Sequence, residues 1–339
     1  MPRNDAYGYA VARIRALEAG LFDAPRLQRM IDADGLDAAL KILAESDYAR
    51  WMTEGARYDS ALEAELRATF DEFAAFVPDR ELIDVFRIPY DFHNVKVLLK
   101  GAFKARAGGK KRYDLLTRLG SVPADDLVSR VESEEYGLLP WGLSVLLPSC
   151  ASMWEQSADI VEIERVLDGG MFDAIVSLAS SLGFPGVISW ARARIDSENI
   201  RNLLRMKRFG FDSSTAASFL HGGGTVAVSA LLPLMSDQFD AWGRSLAYSD
   251  VGMAISATEG SGDFDELMPA LERALDDFCS AAVANARYSA SAPENVTAFL
   301  WGKEMEIKNI RTILVSKAVH AAKTDREGVK GMMRRGYFG

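Results

Sequence analysis

The nine residues DFHNVKVLL at positions 91–99 decide the fold, because their pattern returns twice further along the chain. The second copy is DSENIRNLL at 196–204, and the third is EIKNIRTIL at 306–314. Each copy has an acidic residue three positions before an asparagine, then a β-branched residue, a basic residue and, after one variable position, two aliphatic residues ending in leucine. The asparagines lie 105 and then 110 residues apart. Solenoid arrays repeat every 33–47 residues or so, so the longer period predicts three copies of a small helical domain.

The motif is predicted to be a helix with one buried face. Counting from the asparagine, apolar residues fall at positions +1, +4 and +5, which share a helix face. We expect the asparagine to make a buried hydrogen bond that fixes the order of the helices. A second, compatible interpretation is that the three helices line a shared axial surface that is presented to a partner. The motif residues concerned are Asp91, Asn94, Asp196, Asn199, Glu306 and Asn309.

Basic side chains cluster after each motif asparagine in an otherwise acidic chain. Spacings of four residues place several of them on one helix face. They form either a solvated face balanced by nearby carboxylates, or a socket for an acidic partner surface or for helix C-termini. We also expect the motif acid of one copy to pair with the basic residue of the next copy. The candidate socket residues are Lys96, Lys100, Lys104, Arg201, Arg205, Lys308 and Arg311.

The rest of the chain has the composition of an all-α protein with many short connections. Helix formers dominate, and alternating β patterns are scarce. Chain breaks are expected at glycine and proline positions that include Pro140, Pro148 and the pair Gly169-Gly170. Helices are expected over 6–21, after Asp23, over 36–44 and over 60–77, and three helical repeats over 1–112, 113–212 and 213–339.

Composition excludes several classes of protein. The chain has 339 residues, 49% apolar and 26% charged, which is typical of globular domains. A net charge of −9 argues against nucleic-acid binding, which needs a basic surface. No signal peptide or membrane-spanning run is expected. Cys150 and Cys279 are predicted to be buried thiols in a reducing compartment.

The residues also argue against an enzyme. The three histidines, His93, His221 and His320, belong to no metal-binding or catalytic pattern, and the glycines after His221 are expected to form a plain loop. The adjacent acids Asp276 and Asp277 are expected on a solvated helix face. We therefore predict no catalytic residue, no metal and no cofactor.

Several stretches resemble a known family. They are YGYAVARIRALE at 7–18, DFHNVKVLLK at 91–100, EMEIKNIR at 304–311 and RRGY at 334–337. The chain resembles the C subunit of the prokaryotic V-type (A-type) rotary ATPases, whose eukaryotic counterpart is known as the d subunit. The resemblance implies a funnel of three helical subdomains about a pseudo-threefold axis, without a nucleotide site.

The same resemblance implies the partners and the location. The chain is expected on the cytoplasmic face of the inner membrane as a peripheral subunit, seated on the proteolipid rotor ring, with membrane contact only through that ring. The foot of the central stalk, a coiled-coil subunit with a small accessory subunit, is expected to enter the funnel, so that the chain transmits torque. The alternative is a generic helical adaptor outside any rotary motor.

Overall fold

The computed structural model describes residues 6–53, 57–106, 108–157, 159–260, 264–319 and 326–337. Within these ranges the chain forms α-helices joined by turns and short 3₁₀ segments, and no β-strand, so the protein is all-α as predicted. The helices are α1 (Gly8–Leu17), α2 (Ala24–Asp32), α3 (Leu36–Leu43), α4 (Tyr58–Phe76), α5 (Glu81–Arg106), α6 (Ala124–Glu132), α7 (Leu143–Ser157), α8 (Ile160–Leu182), α9 (Pro185–Arg208), α10 (Ser213–Ala217), α11 (Val228–Leu231), α12 (Phe239–Ser245), α13 (Asp250–Ser256), α14 (Phe264–Val283), α15 (Glu294–Val319) and α16 (Arg326–Gly331).

The N-terminal helices lie close to their predicted positions, with ends that differ by up to four residues. The side chain of Asp23 caps α2 by accepting a hydrogen bond from the N–H of Arg26, and Pro25 occupies the first turn. Helix α4 ends at Phe76, two residues before Pro78. Each of these helices buries part of its apolar stripe: Val11 and Ile14 of α1, Met30 and Ile31 of α2, Leu43 of α3, and Leu62, Leu66, Phe70 and Phe73 of α4.

The three copies of the motif lie in α5, α9 and α15, which have 26, 24 and 26 residues. These are the longest helices of the described chain. Helix α5 runs without interruption through Pro89, so the aromatic stretch before the motif and the motif itself share one helix.

Two of the predicted chain breaks are wrong. Pro148 lies inside α7, where its side of the helix is exposed, and the pair Gly169-Gly170 lies inside α8. A Cβ on Gly170 would crowd the side chain of Leu146, which explains why a residue that disfavours helices is placed there. Close packing of α8 against α7 therefore overrides the local tendency of glycine to end a helix.

The helices group into two compact units. One unit contains α5–α8 (Asp79–Gly183, with His221–Gly223), and its core includes Phe92, Leu127, Leu147 and Leu167. The division into three repeats at 112/113 and 212/213 stays a prediction.

The other unit contains α1–α4 and α9–α16. In it, α14 packs against both α9 and α15, and α15 also packs against α1 and α4. Its core includes Leu203, Trp242 and Leu271. In neither unit does a helix of the described residues have the length and apolar character needed to span a membrane.

Candidate functional site

All six motif residues predicted from the sequence are buried. The asparagines Asn94, Asn199 and Asn309 have no exposed surface, and at most 3% of each motif acid is exposed. Buried polar groups need hydrogen-bond partners, and for the acids those partners come from loops distant in sequence.

In α5, the carboxylate of Asp91 holds a loop about thirty residues downstream. Its oxygens accept hydrogen bonds from the N–H of Ser121 (3.1 Å) and of Val122 (3.0 Å). They also accept from the Ser121 hydroxyl (2.6 Å) and from the indole N–H of Trp141 (3.0 Å). The preceding residue is Gly120, where a Cβ would come within 3.0 Å of the carboxylate, closer than real Cβ atoms approach.

In α9, the carboxylate of Asp196 repeats this arrangement. It accepts hydrogen bonds from the N–H of Thr225 (3.0 Å), the N–H of Val226 (3.1 Å) and the Thr225 hydroxyl. Gly224 precedes them, and a Cβ there would also collide with the carboxylate. The sequence signal for these loops is a Gly-Ser/Thr-Val triplet at nearly the same distance after each motif aspartate, which the nine-residue pattern alone does not include.

In α15, the carboxylate of Glu306 takes its partners from the start of the chain instead. It accepts hydrogen bonds from the N–H of Phe22 (2.6 Å) and the hydroxyl of Tyr48 (2.6 Å). The buried ammonium of Lys303 lies 2.8 Å from one Glu306 oxygen and 3.5 Å from an oxygen of the buried Glu65. Residues on α15 and the N-terminal segment thus form one buried polar cluster within their unit.

Burial shifts the pKa values of these acids. Loss of hydration raises the pKa of Asp91 and of Asp196 above the ordinary carboxyl value, against the opposing effect of their loop hydrogen bonds. For Glu65, burial alone would raise the pKa, but the charges of Lys303 and Arg50 and the hydrogen bonds to the carboxylate lower it. All three carboxylates act as hydrogen-bond acceptors that hold neighbouring segments.

The asparagines of α5 and α15 each pair with one backbone residue through both ends of the amide. Asn94 donates to the carbonyl of Thr117 and accepts from its N–H, both at 2.9 Å. Asn309 does the same with Arg334, again at 2.9 Å. The predicted buried hydrogen bond is confirmed at these two positions. An aspartate could not donate, so the amide is the group this arrangement requires.

Six of the seven candidate socket residues are paired with carboxylates of their own unit. Lys96 pairs with Asp168, Lys100 with Glu164, Arg205 with Glu198 and Glu272, and Arg311 with Asp59. Arg201 and Lys308 both bind Asp276, at 2.8 and 2.6 Å. Lys104 is exposed, and no carboxylate of the described residues pairs with it. The positive charge seen in the sequence is therefore largely balanced.

Asp276 joins three elements of one unit, contrary to its predicted place on a solvated face. It lies on α14, is 3% exposed, and binds Arg201 of α9, Lys308 of α15 and the Nε of Arg334 (3.1 Å).

The expected pairing of the motif acids with basic residues of the next copy is also wrong. Arg201 is held by Asp276 and by its neighbour Glu198, while the motif acids bind loops.

The remaining polar candidates have structural surroundings. The ring of His93 lies 3.0 Å from the Leu115 carbonyl, and the ring of His221 packs against that of Phe172 at a tilt of 39°. His320 lies outside the described residues. Cys150 and Cys279 are free and buried, as predicted, and burial raises the pKa of each thiol to about 11.

Comparison with known proteins identifies the family. The profile of the ATP synthase (C/AC39) subunit family matches residues 10–326. The C subunit of the V-type sodium ATPase of Enterococcus hirae is 24% identical over 330 residues, covering 96% of this chain and 97% of the relative. The C subunits of the A-type ATP synthases of Methanocaldococcus jannaschii (24% identical, 92% of this chain, 82% of the relative) and Halobacterium salinarum (26%, 91% and 92%) are similar along their length too. This all-helical chain, with its three buried motif helices, belongs to the ATP synthase (C/AC39) subunit family.

Proposed function

We propose that the chain is the non-catalytic C subunit of a V-type or A-type rotary ATPase, and that it couples the central stalk to the membrane proteolipid ring. The observation that carries this proposal is the family match over residues 10–326, with relatives named as C subunits along nearly the whole chain. In this role the chain transmits torque during ATP-driven ion transport or ATP synthesis. It sits on the cytoplasmic face as a peripheral subunit and meets the membrane only through the ring.

The packing of the chain supports a mechanical role. A torque coupler must be stiff, and close-packed helices provide stiffness. Each motif helix has a buried acid hydrogen-bonded to a segment distant along the chain, so each of the three is tied to another segment as well as packed. We further propose that these helices mark three similar subdomains, over 1–112, 113–212 and 213–339, around a pseudo-threefold axis.

The stalk socket is proposed at the basic side chains that follow the motif asparagines. Arg201 and Lys96 are the least accessible members, with 15% and 26% of their side chains exposed. The members available to a partner are the exposed Lys104 and those with 40% or more of the side chain exposed: Lys100, Arg205, Lys308 and Arg311. An acidic stalk surface would compete with the carboxylates that now pair with most of them.

The test is co-elution of the purified chain with the recombinant stalk pair on size exclusion, at low and moderate salt. We expect a stable complex that weakens as salt rises, because exposed ion pairs are screened. The R205E/R311E variant should lose most of the binding. The matched variant K41E/R244E, which reverses two exposed cations outside the socket, should keep it.

Two outcomes would count against the proposal. If the folded chain binds neither the stalk pair nor the ring, it is a generic helical adaptor with the family fold. If it binds the stalk pair but R205E/R311E binds equally well, the role in the motor stands and the socket lies elsewhere.

A further inference from the structure

A concave basic site lies in the unit of α5–α8. It is a cavity of about 370 Å³, within the size range of small-molecule sites. One wall is the face of α5 that carries Lys96, Lys100 and Lys104, one helical turn apart. Lys110 and Arg112, from the segment after α5, also line it, with Glu164 of α8, His93 and Leu115 completing the lining.

The cavity forms because the chain reverses at the end of α5. Gly108 has a left-handed backbone, with φ of 81°, a conformation that glycine adopts without steric cost. The N–H of Gly109 donates to the carbonyl of Lys104 at 2.8 Å, which closes the helix end. The following residues therefore return beside α5 and bring Lys110 and Arg112 to the same cavity as Lys104.

The lining carries far more positive than negative charge, with five cationic side chains against one carboxylate. At the α8 side, Asp168 and Glu164 balance Lys96 and Lys100, and Arg112 pairs with Asp114 at 2.7 Å. At the other end, Lys104 and Lys110 are exposed, and no carboxylate in the described part of the chain pairs with either ammonium group. This concentration of charge stands out in a protein of net charge −9.

We propose that this cavity binds a small anion that presents two or more phosphate groups. Several cationic side chains, from α5 and from the segment that follows it, line one concave space, so one ligand can contact more than one of them. Lysine binds phosphate as a mobile point charge, and each additional phosphate oxygen can engage another ammonium. The phosphates come either from a soluble compound, such as pyrophosphate or a nucleoside polyphosphate, or from adjacent lipid headgroups. The site shares Lys96, Lys100 and Lys104 with the candidate stalk socket, but anion binding does not require that the stalk binds there.

The experiment is equilibrium binding to the full chain with two probes, pyrophosphate in solution and vesicles containing phosphatidylglycerol. Saturable binding of pyrophosphate, weakened by salt, is the expected result, and the vesicle arm shows whether headgroups are held by the same residues. K104Q/K110Q should weaken binding by about tenfold or more, because it removes the two lining cations that pair with no carboxylate of the described residues. Lys110 lines the cavity but is not one of the candidate socket residues. K110Q alone should therefore also weaken pyrophosphate binding, and this loss would not reflect a change in the socket.

The control is K41Q/R244Q, which removes two exposed cations that pair with no carboxylate of the described residues and lie far from α5 in sequence. It should bind as the unaltered chain does. Binding of vesicles alone, lost in K104Q/K110Q, supports the lipid source. The proposal is overturned if neither probe binds, if K104Q/K110Q binds as well as the unaltered chain, or if K41Q/R244Q weakens binding equally, which would make it an effect of net charge.

Discussion

At the scale of single residues, a buried carboxylate and a glycine act as a pair in two of the motif sites. Asp91 lies against Gly120, and Asp196 lies against Gly224, so that the following two N–H groups reach the carboxylate oxygens. Neither glycine has a left-handed backbone, so the requirement is for space and not for conformation. Any side chain here would push the loop off its acceptor.

The substitution G224A tests this requirement. The added Cβ must displace the loop or Asp196, so we expect a loss of about 2 kcal/mol in the free energy of unfolding, the usual range for overpacking. Urea unfolding measures it. The control is G222A in the same loop, where a Cβ meets nothing within 4 Å and the effect should be within about 0.5 kcal/mol. Equal stability of the two variants would contradict the steric account.

Asp276 predicts how stability depends on pH. Burial alone would raise its pKa, but Lys308, Arg201 and Arg334 outweigh burial and lower it. A carboxyl with a lowered pKa contributes stability that is fully present above its unfolded value, near 3.8, and is lost as the pH falls through its folded value. D276N should therefore cost about 3–5 kcal/mol at pH 7, because buried cations lose their partner, and this difference should shrink below about pH 4.

Urea unfolding of D276N and the unaltered protein, at pH values from 7 to 3, checks this expectation. The matched variant is E135Q, which neutralises an exposed loop carboxylate and should shift stability by less than about 0.5 kcal/mol at every pH. A D276N penalty that stays constant down to pH 3 would show that ionisation of Asp276 is not its source.

At the scale of helices, α8 provides a comparison between adjacent glycines. A Cβ on Gly169 meets nothing within 4 Å, whereas a Cβ on Gly170 collides with the Leu146 side chain of α7. G169A should stabilise the protein by about 0.5–1 kcal/mol, because alanine is the better helix former. G170A should lose that gain to the contact with Leu146. Thermal unfolding should rank G169A above the unaltered protein and G170A below G169A, and the reverse order would show that α7 and α8 are not packed this closely.

Helix positions could largely be predicted from the sequence, and the partners of the motif could not. The 3.6-residue spacing of apolar side chains placed α1–α4 and the three motif helices, and it showed that Asn94 and Asn309 are buried. Which segment reaches each motif acid depends on how the chain returns in space. Glu306 binds the N–H of Phe22, 284 residues away, and no local pattern carries that information.

The sequence also showed the positive charge on the motif helices, but not the carboxylates that balance it. The basic residues after each asparagine stood out by their spacing, but their carboxylate partners Asp168, Glu164 and Asp276 lie on α8 and α14. From the sequence, Asp276 was predicted to be an exposed helix acid. It is buried because cations from other helices surround it, and the sequence does not show which cations those are. Tertiary pairing of this kind is the information that helical periodicity lacks.

At the scale of the whole molecule, hydrogen bonds and an ion pair connect the N-terminal and C-terminal segments of the described chain to α14 and α15. The N-terminal segment supplies the hydrogen bonds to Glu306 of α15, and the C-terminal residue Arg334 pairs with Asn309 of the same helix and with Asp276 of α14. The Tyr337 hydroxyl donates to Glu18 at 2.6 Å, which ties the last described residue to the end of α1. These contacts link the two ends of the described chain, as the proposed torque-transmitting role requires of a stiff subunit.

The central claim is that this chain couples the stalk to the ring, and ATP-driven ion uptake into vesicles tests it most directly. The complete motor complex would be reconstituted with and without this chain, and ATP hydrolysis and ion uptake measured together. We predict that without the chain hydrolysis continues while uptake is abolished, and that adding the purified chain restores uptake. Full uptake by the complex that lacks the chain would contradict the claim.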